Sequence, residues 1–259
     1  MREQERMRPL AGSLTVLTML AVTACGALGT AETGEVIDAA GQRQWVSCTG
    51  EETPAVVLVH GIGDRANSSY WRATQQELAG KHRTCRYDRP GTGNSPAPSR
   101  SGRDGQDLAA ELDTVVNRAD ADDPVIVVAH SFGGYPALVY AQHHRDRVAG
   151  LVLVEAVEPD YGLRAGVGVD HWDEVGQADE DLDLAAVQRQ ARQVDSLEDL
   201  PLTVLRRGQG ASPQWKQAQE SLTHLSSASV LRVAQQAGHE VPAEEPEAVS
   251  AAIAALPSP

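Results

Sequence analysis

Aromatic residues make up only 4% of this 259-residue chain, with a single phenylalanine, so its core has to be built from valine, leucine, isoleucine and alanine. Basic residues are also short: 22 Lys and Arg stand against 36 Asp and Glu, a formal charge of −14. That balance argues against a nucleic-acid binder, which needs a basic face for phosphate contacts. The acidic surplus reads most simply as a well-hydrated surface. Hydrophobic residues reach 41%, normal for a globular protein and too few for a polytopic membrane protein. No internal repeat or long low-complexity segment is present. HExxH spacing is absent, and adjacent histidines on one helix point in different directions, so His143, His144 and Asp146 do not make a metal site. Gly91-Thr92-Gly93 lacks the Lys-Ser/Thr continuation of a phosphate-binding loop. No metal or cofactor is expected.

Cysteine is nearly as scarce, with three residues, and their positions matter. The chain opens with Arg2, Arg6 and Arg8, followed by an apolar run from Leu10 to Ala24 that is too short to span a membrane comfortably. The run ends in Val22-Thr23-Ala24-Cys25, which resembles a bacterial lipobox, in which the cysteine is lipidated and becomes the new N-terminus. Residues 1–24 therefore read as a lipoprotein signal peptide, Cys25 as the lipidation site and 25–40 as a tether. The expectation is an exported protein held by its lipid on the extracytoplasmic face of the cell membrane. In that oxidising compartment the remaining pair, Cys48 and Cys85, suggests a disulfide, with two buried thiols as the alternative.

From residue 41 to 259 short apolar runs alternate with helical patterns, the signature of a parallel α/β sheet covered on both faces. Strands are expected at Gln44–Cys48, Ala55–Val59, Thr84–Tyr87, Pro124–Ala129, Val148–Glu155, Leu202–Leu205 and Val230–Ala234. Helices are expected at Trp71–Gly80, Asp104–Asn117, after Gly134 to about His144, and at Pro246–Leu256. Residues from about 157 to 200 break the rhythm. This acidic segment, with one amphipathic stretch from Leu182 to Val194, is too long for a plain loop and is read as a small inserted cap.

The chemistry concentrates where strands end. Ala129-His130-Ser131-Phe132-Gly133 follows an apolar strand and precedes a helix, the context of a nucleophile elbow, with Ala129 in place of the usual first glycine. The serine needs a base, and the base an orienting carboxylate. Of the eight histidines, only His239 lies between the last strand and the last helix. The acid is not at its commonest position, because the loop after Leu205 reads Arg206-Arg207-Gly208-Gln209-Gly210-Ala211-Ser212. Glu155, at the end of the preceding apolar strand, is costly to bury unpaired and is assigned to His239. Glu158 and Asp160 are the runners-up, and a structural pairing of Glu155 with an arginine is the alternative. The backbone amides of Ile62 and Phe132 are expected to form an oxyanion hole. His60 is read as a brace for the Ile62 loop.

Taken together, His60-Gly61, the run Asp88-Arg89-Pro90-Gly91-Thr92-Gly93-Asn94-Ser95, the elbow at Ser131 and Gly238-His239 resemble the α/β-hydrolase superfamily over nearly all of the mature chain. More narrowly, the chain resembles bacterial hydrolases with a cysteine in the second strand, another before the Tyr-Asp-Arg segment, and an acid at the end of the sixth strand. The resemblance implies a mostly parallel eight-stranded sheet with helices on both faces. It also makes the second and fourth strands neighbours, so that a Cys48–Cys85 bridge can form. The superfamily that the chain resembles includes esterases, lipases, thioesterases and peptidases. The expected activity is hydrolysis of a small-molecule acyl ester by a serine without a cofactor, with a peptidase, a thioesterase or a low-turnover ligand-binding member as the alternatives.

Overall fold

In the computed structural model, residues 34–65, 69–162 and 177–257 are described. The expected signal peptide and Cys25 lie outside them, as does the middle of the acidic insertion. The described elements are β1 (Glu35–Ala39), β2 (Gln42–Thr49), β3 (Val56–Val59), α1 (Ser69–Leu78), β4 (Thr84–Asp88), α2 (Gly105–Ala119), β5 (Val125–His130), α3 (Gly134–His143) and β6 (Val148–Val154). They continue with α4 (Gln177–Glu180), α5 (Leu184–Arg192), β7 (Leu202–Arg207), α6 (Pro213–Leu222), β8 (Ser229–Ala234), α7 (Val241–Glu244) and α8 (Pro246–Ala254).

Eight strands form one sheet in the order β1-β2-β4-β3-β5-β6-β7-β8. β2 runs antiparallel to both β1 and β4, and every other pairing is parallel. The sheet begins earlier than the sequence suggests. Glu35–Ala39, within the stretch read as a tether, pairs with β2, so only residues before Glu35 could serve as a tether. β1 escapes notice because its alternation is short and mostly exposed, with Ala39 alone fully buried.

The central strands are apolar on both faces because both are covered. Alternate residues such as Val57, Val127, Leu151 and Val204 pack with Leu112, Val115 and Val116 of α2 and Leu138 of α3. Their neighbours Val56, Val128, Val152 and Leu205 pack with Trp71 and Leu78 of α1 and Val249 and Ile253 of α8. Asp104 caps α2 by accepting from the amides of Gln106 and Asp107, while the Asp107 side chain returns to the Asp104 amide. That reciprocal pair satisfies orphan donors at the helix start. α6 lies in a stretch given no element from sequence, although Ser212 caps it and Pro213 starts it.

Cys48 and Cys85 sit opposite one another on the antiparallel strands β2 and β4 and are joined by a disulfide. At the other functional edge, the parallel register aligns Val59 with Ala129, His130 with Val154, and Val154 with Leu205. The residues that follow these strands, His60, Ser131 and Glu155, are therefore delivered to one rim of the sheet.

Candidate active site

Ser131 leaves β5 with φ +53°, in the left-handed region that costs a residue bearing a Cβ. A one-residue turn in this conformation reverses the chain from strand to helix, and its closeness explains the small neighbours. A Cβ on Gly133 would stand 2.6 Å from the carbonyl oxygen of Val59, and one on Gly61 would stand 3.4 Å from the Cβ of Ser131. Ala129 is completely buried, with its methyl in the core.

His239 arrives from the loop after β8. Its Nε2 is 3.1 Å from Ser131 Oγ and its Nδ1 is 3.2 Å from Glu155 Oε2. For Nε2 to accept from the serine hydroxyl, the proton must reside on Nδ1 and be donated to Glu155. The loop is fixed from below by His130, whose Nε2 donates to the His239 carbonyl at 2.9 Å. The two rings lie 4.8 Å apart. Burial depresses the His130 pKa to about 3, and the neighbouring His239 adds to the effect, so His130 works as a neutral hydrogen-bond donor.

Glu155 is fully buried and, like Ser131, has positive φ, +48°. Its carboxylate is well supplied with donors. Oε1 accepts from the Arg207 amide at 2.6 Å and from Trp215 Nε1 at 2.9 Å, while Oε2 accepts from Arg207 Nη1 at 2.6 Å as well as from His239. The carboxylate of Glu155 is therefore in contact with both His239 and an arginine. Glu158 and Asp160 do not reach His239. Glu158 accepts from the Tyr161 amide, and Asp160 pairs with Arg192.

Sequence reasoning passed over Trp215 and Arg207. Ser212-Pro213 was the available signal for the helix that carries Trp215. Arg207 was visible only as a residue of a loop lacking acids, whereas β7 runs two residues further than expected and ends on it.

The loop after β3 crosses the elbow and carries Ile62. It is braced by buried groups. His60 Nδ1–H donates to the Gly61 carbonyl and its Nε2 accepts from the Arg89 amide, which agrees with its expected bracing part. Burial, assisted by the Arg89 charge, holds the His60 pKa well below the usual imidazole range. Arg89 donates to the carbonyls of His60 and Gly61 and forms a buried two-bond ion pair with Glu180 of α4, which also accepts from the Gly63 amide. Phe132, whose amide lies at the start of the turn into α3, joins a buried apolar cluster with Ile62, Tyr135, Val157, Leu184 and Trp215. α5 contributes Leu184 and Val187 to this cluster, so the described end of the acidic insertion is packed over the elbow.

Residues 54–209 match the family model described as the alpha/beta hydrolase fold. With that match and this sheet, the chain belongs to the α/β-hydrolase family. The Bacillus subtilis (strain 168) protein YqjL is 24% identical over 208 residues, covering 76% of this chain and 82% of that one. Epoxide hydrolase 3 of Xenopus tropicalis is 30% identical over 116 residues, but the match spans 44% of this chain and only 31% of that protein. Among solved structures, a thermophilic esterase from Thermogutta terrifontis superposes with a TM-score of 0.66 at 22% identity, over 86% of this chain and 97% of that one. The structural likeness agrees with the fold given by the family match.

Proposed function

We propose that this protein is a serine hydrolase that cleaves an ester-type acyl bond through an acyl-enzyme. The observation that carries this reading is the continuous contact Ser131 Oγ–His239–Glu155 at the rim of the sheet, 3.1 and 3.2 Å. His239 Nε2 takes the hydroxyl proton as Ser131 Oγ attacks the acyl carbonyl. Negative charge on the carbonyl oxygen is met by the amides of Ile62 and Phe132. His239 then passes the proton to the leaving oxygen. A water molecule repeats the cycle, giving a proton to His239 as it attacks the acyl carbon, and His239 returns that proton to Ser131 Oγ as the acid leaves. Serine at the elbow disfavours the epoxide-opening chemistry named for some relatives, which an aspartate nucleophile would suggest.

The cellular setting belongs to the same reading. The lipobox-like run ending at Cys25 supports export and a lipid anchor, and the Cys48–Cys85 disulfide is at home in an oxidising compartment. The test is a screen of p-nitrophenyl acyl esters of graded chain length beside a peptide panel, with His239→Ala as control. Turnover of one or more esters that falls about 10³-fold or more in the variant supports the proposal. Peptide cleavage without ester cleavage, or ester turnover untouched by the substitution, overturns it.

A further inference from the structure

We infer that Arg207 is a positioning residue for the Glu155–His239 pair, acting as the fixed counter-charge of the buried carboxylate that His239 shares when it takes the serine proton. The inference rests on the serine-hydrolase reading above and concerns a residue outside the Ser131–His239–Glu155 set.

Three observations converge on it. Arg207 Nη1 lies 2.6 Å from Glu155 Oε2 and 3.3 Å from His239 Nδ1. With the Nδ1 proton committed to Glu155, the second approach sets one donor against another. It is therefore not a hydrogen bond: Arg207 and His239 share the same carboxylate oxygen. The Arg207 guanidinium also lies over the Trp215 ring, 5.0 Å from its centre, while Trp215 Nε1 holds the other oxygen of Glu155. Finally, both the backbone amide and the side chain of Arg207 bind Glu155, so the extension of β7 to Arg207 fixes where the carboxylate sits.

The electrostatic consequence follows from counting charges. In the resting site, Glu155 is already balanced by Arg207. When His239 takes the serine proton, two cations share one carboxylate, and the guanidinium disfavours the imidazolium. Among the described residues, the other groups facing His239 do not supply this effect. His130, from the end of β5, is neutral. Glu240, the next residue in the chain, interacts with His239 and acts in the opposite sense; burial raises its carboxyl pKa against the attraction of His239, and Asp64 and Glu244 raise it further. Ser131 and the Trp215 indole carry no charge. Among the described residues, Arg207 is thus the cation in contact with the ring. Removing it leaves His239 as the sole cation at Glu155 when the serine proton is taken, a change read out in the pH profile of the reaction.

The test is the second-order rate of fluorophosphonate labelling against pH for the wild type, Arg207→Lys and Arg207→Gln, each checked for a cooperative thermal melt. The expected result is an acid limb shifted up by about one pH unit or more in Arg207→Gln, and retained to within a few tenths in Arg207→Lys. A rate lowered at every pH with the limb unmoved would assign Arg207 a merely structural part and overturn the inference. Should Arg207→Gln not fold, Glu155→Gln is compared with Glu155→Gln/Arg207→Gln, which leaves no buried carboxylate unpaired. A higher limb in the double variant supports the inference, and an identical limb overturns it. Failure of the wild type to label at all would refute the serine-hydrolase reading instead, so the two failures are distinguishable.

Discussion

At the scale of single residues, the site is governed by how one buried carboxylate is shared. Glu155 accepts from a backbone amide, an indole, a guanidinium and an imidazole, so both carboxylate oxygens are satisfied with no exposure to water. Glu155→Gln is expected to lower ester turnover by about 10²- to 10⁴-fold, by disturbing the tautomer of His239. Glu158→Gln and Asp160→Asn should remain within about threefold, because neither side chain reaches the imidazole; steady-state kinetics on the three variants decides this. His130 makes a separate prediction. Its folded pKa, about 3, lies below the ordinary histidine value of 6.5, so between these pH values the unfolded chain binds the extra proton. The contribution of His130 to stability is therefore complete above pH 6.5 and declines as pH falls toward 3, by up to about 1.4 kcal/mol per pH unit. His130→Gln, which retains an N–H donor but cannot titrate, should flatten the fall of Tm between pH 6.5 and 4. An unchanged slope would count against a buried neutral imidazole.

At the scale of elements, the strands are the most legible part of the molecule, for a physical reason. A strand buried on both faces is apolar along nearly all of its length, as β3, β5 up to Ala129 and β6 are, so short runs of Val, Leu and Ile place them within a residue or two. Elements less committed to the core are harder to read. β1 exposes most of its side chains at the sheet edge, and α6 buries one narrow face around Trp215 and Leu222. The site divides in the same way. Ser131 and His239 are tied to strand ends and turn chemistry, which local sequence records, whereas the partners of Glu155 depend on how far β7 extends and where α6 lies. The Arg89–Glu180 pair is another long-range contact, separated by 91 positions, and it braces the Ile62 loop from α4. Glu180→Ala is expected to cost about 3–5 kcal/mol, since it leaves the buried guanidinium without its carboxylate. Urea denaturation measures this, and a midpoint equal to that of the wild type would contradict the role given to the pair.

At the scale of the whole molecule, one rim of the sheet holds the chemistry and one edge holds the covalent link. The Cys48–Cys85 bridge joins β2 to β4 across 37 positions of sequence, fastening the antiparallel edge to the parallel body of the sheet. Restricting the unfolded chain in this way is expected to stabilise the fold by roughly 2–4 kcal/mol. Melting with and without reductant should show a corresponding drop in Tm, with little change in the kinetics of the folded enzyme, because the bridge lies two strands away from Ser131 in the sheet order. The central claim, that the rim is assembled to make Ser131 a nucleophile, is tested most directly by treating the purified protein with a fluorophosphonate and mapping the adduct by peptide mass spectrometry. The account predicts a single adduct on Ser131, abolished in Ser131→Ala and strongly slowed in His239→Ala. An unlabelled protein, or a label that persists after Ser131→Ala, would contradict it.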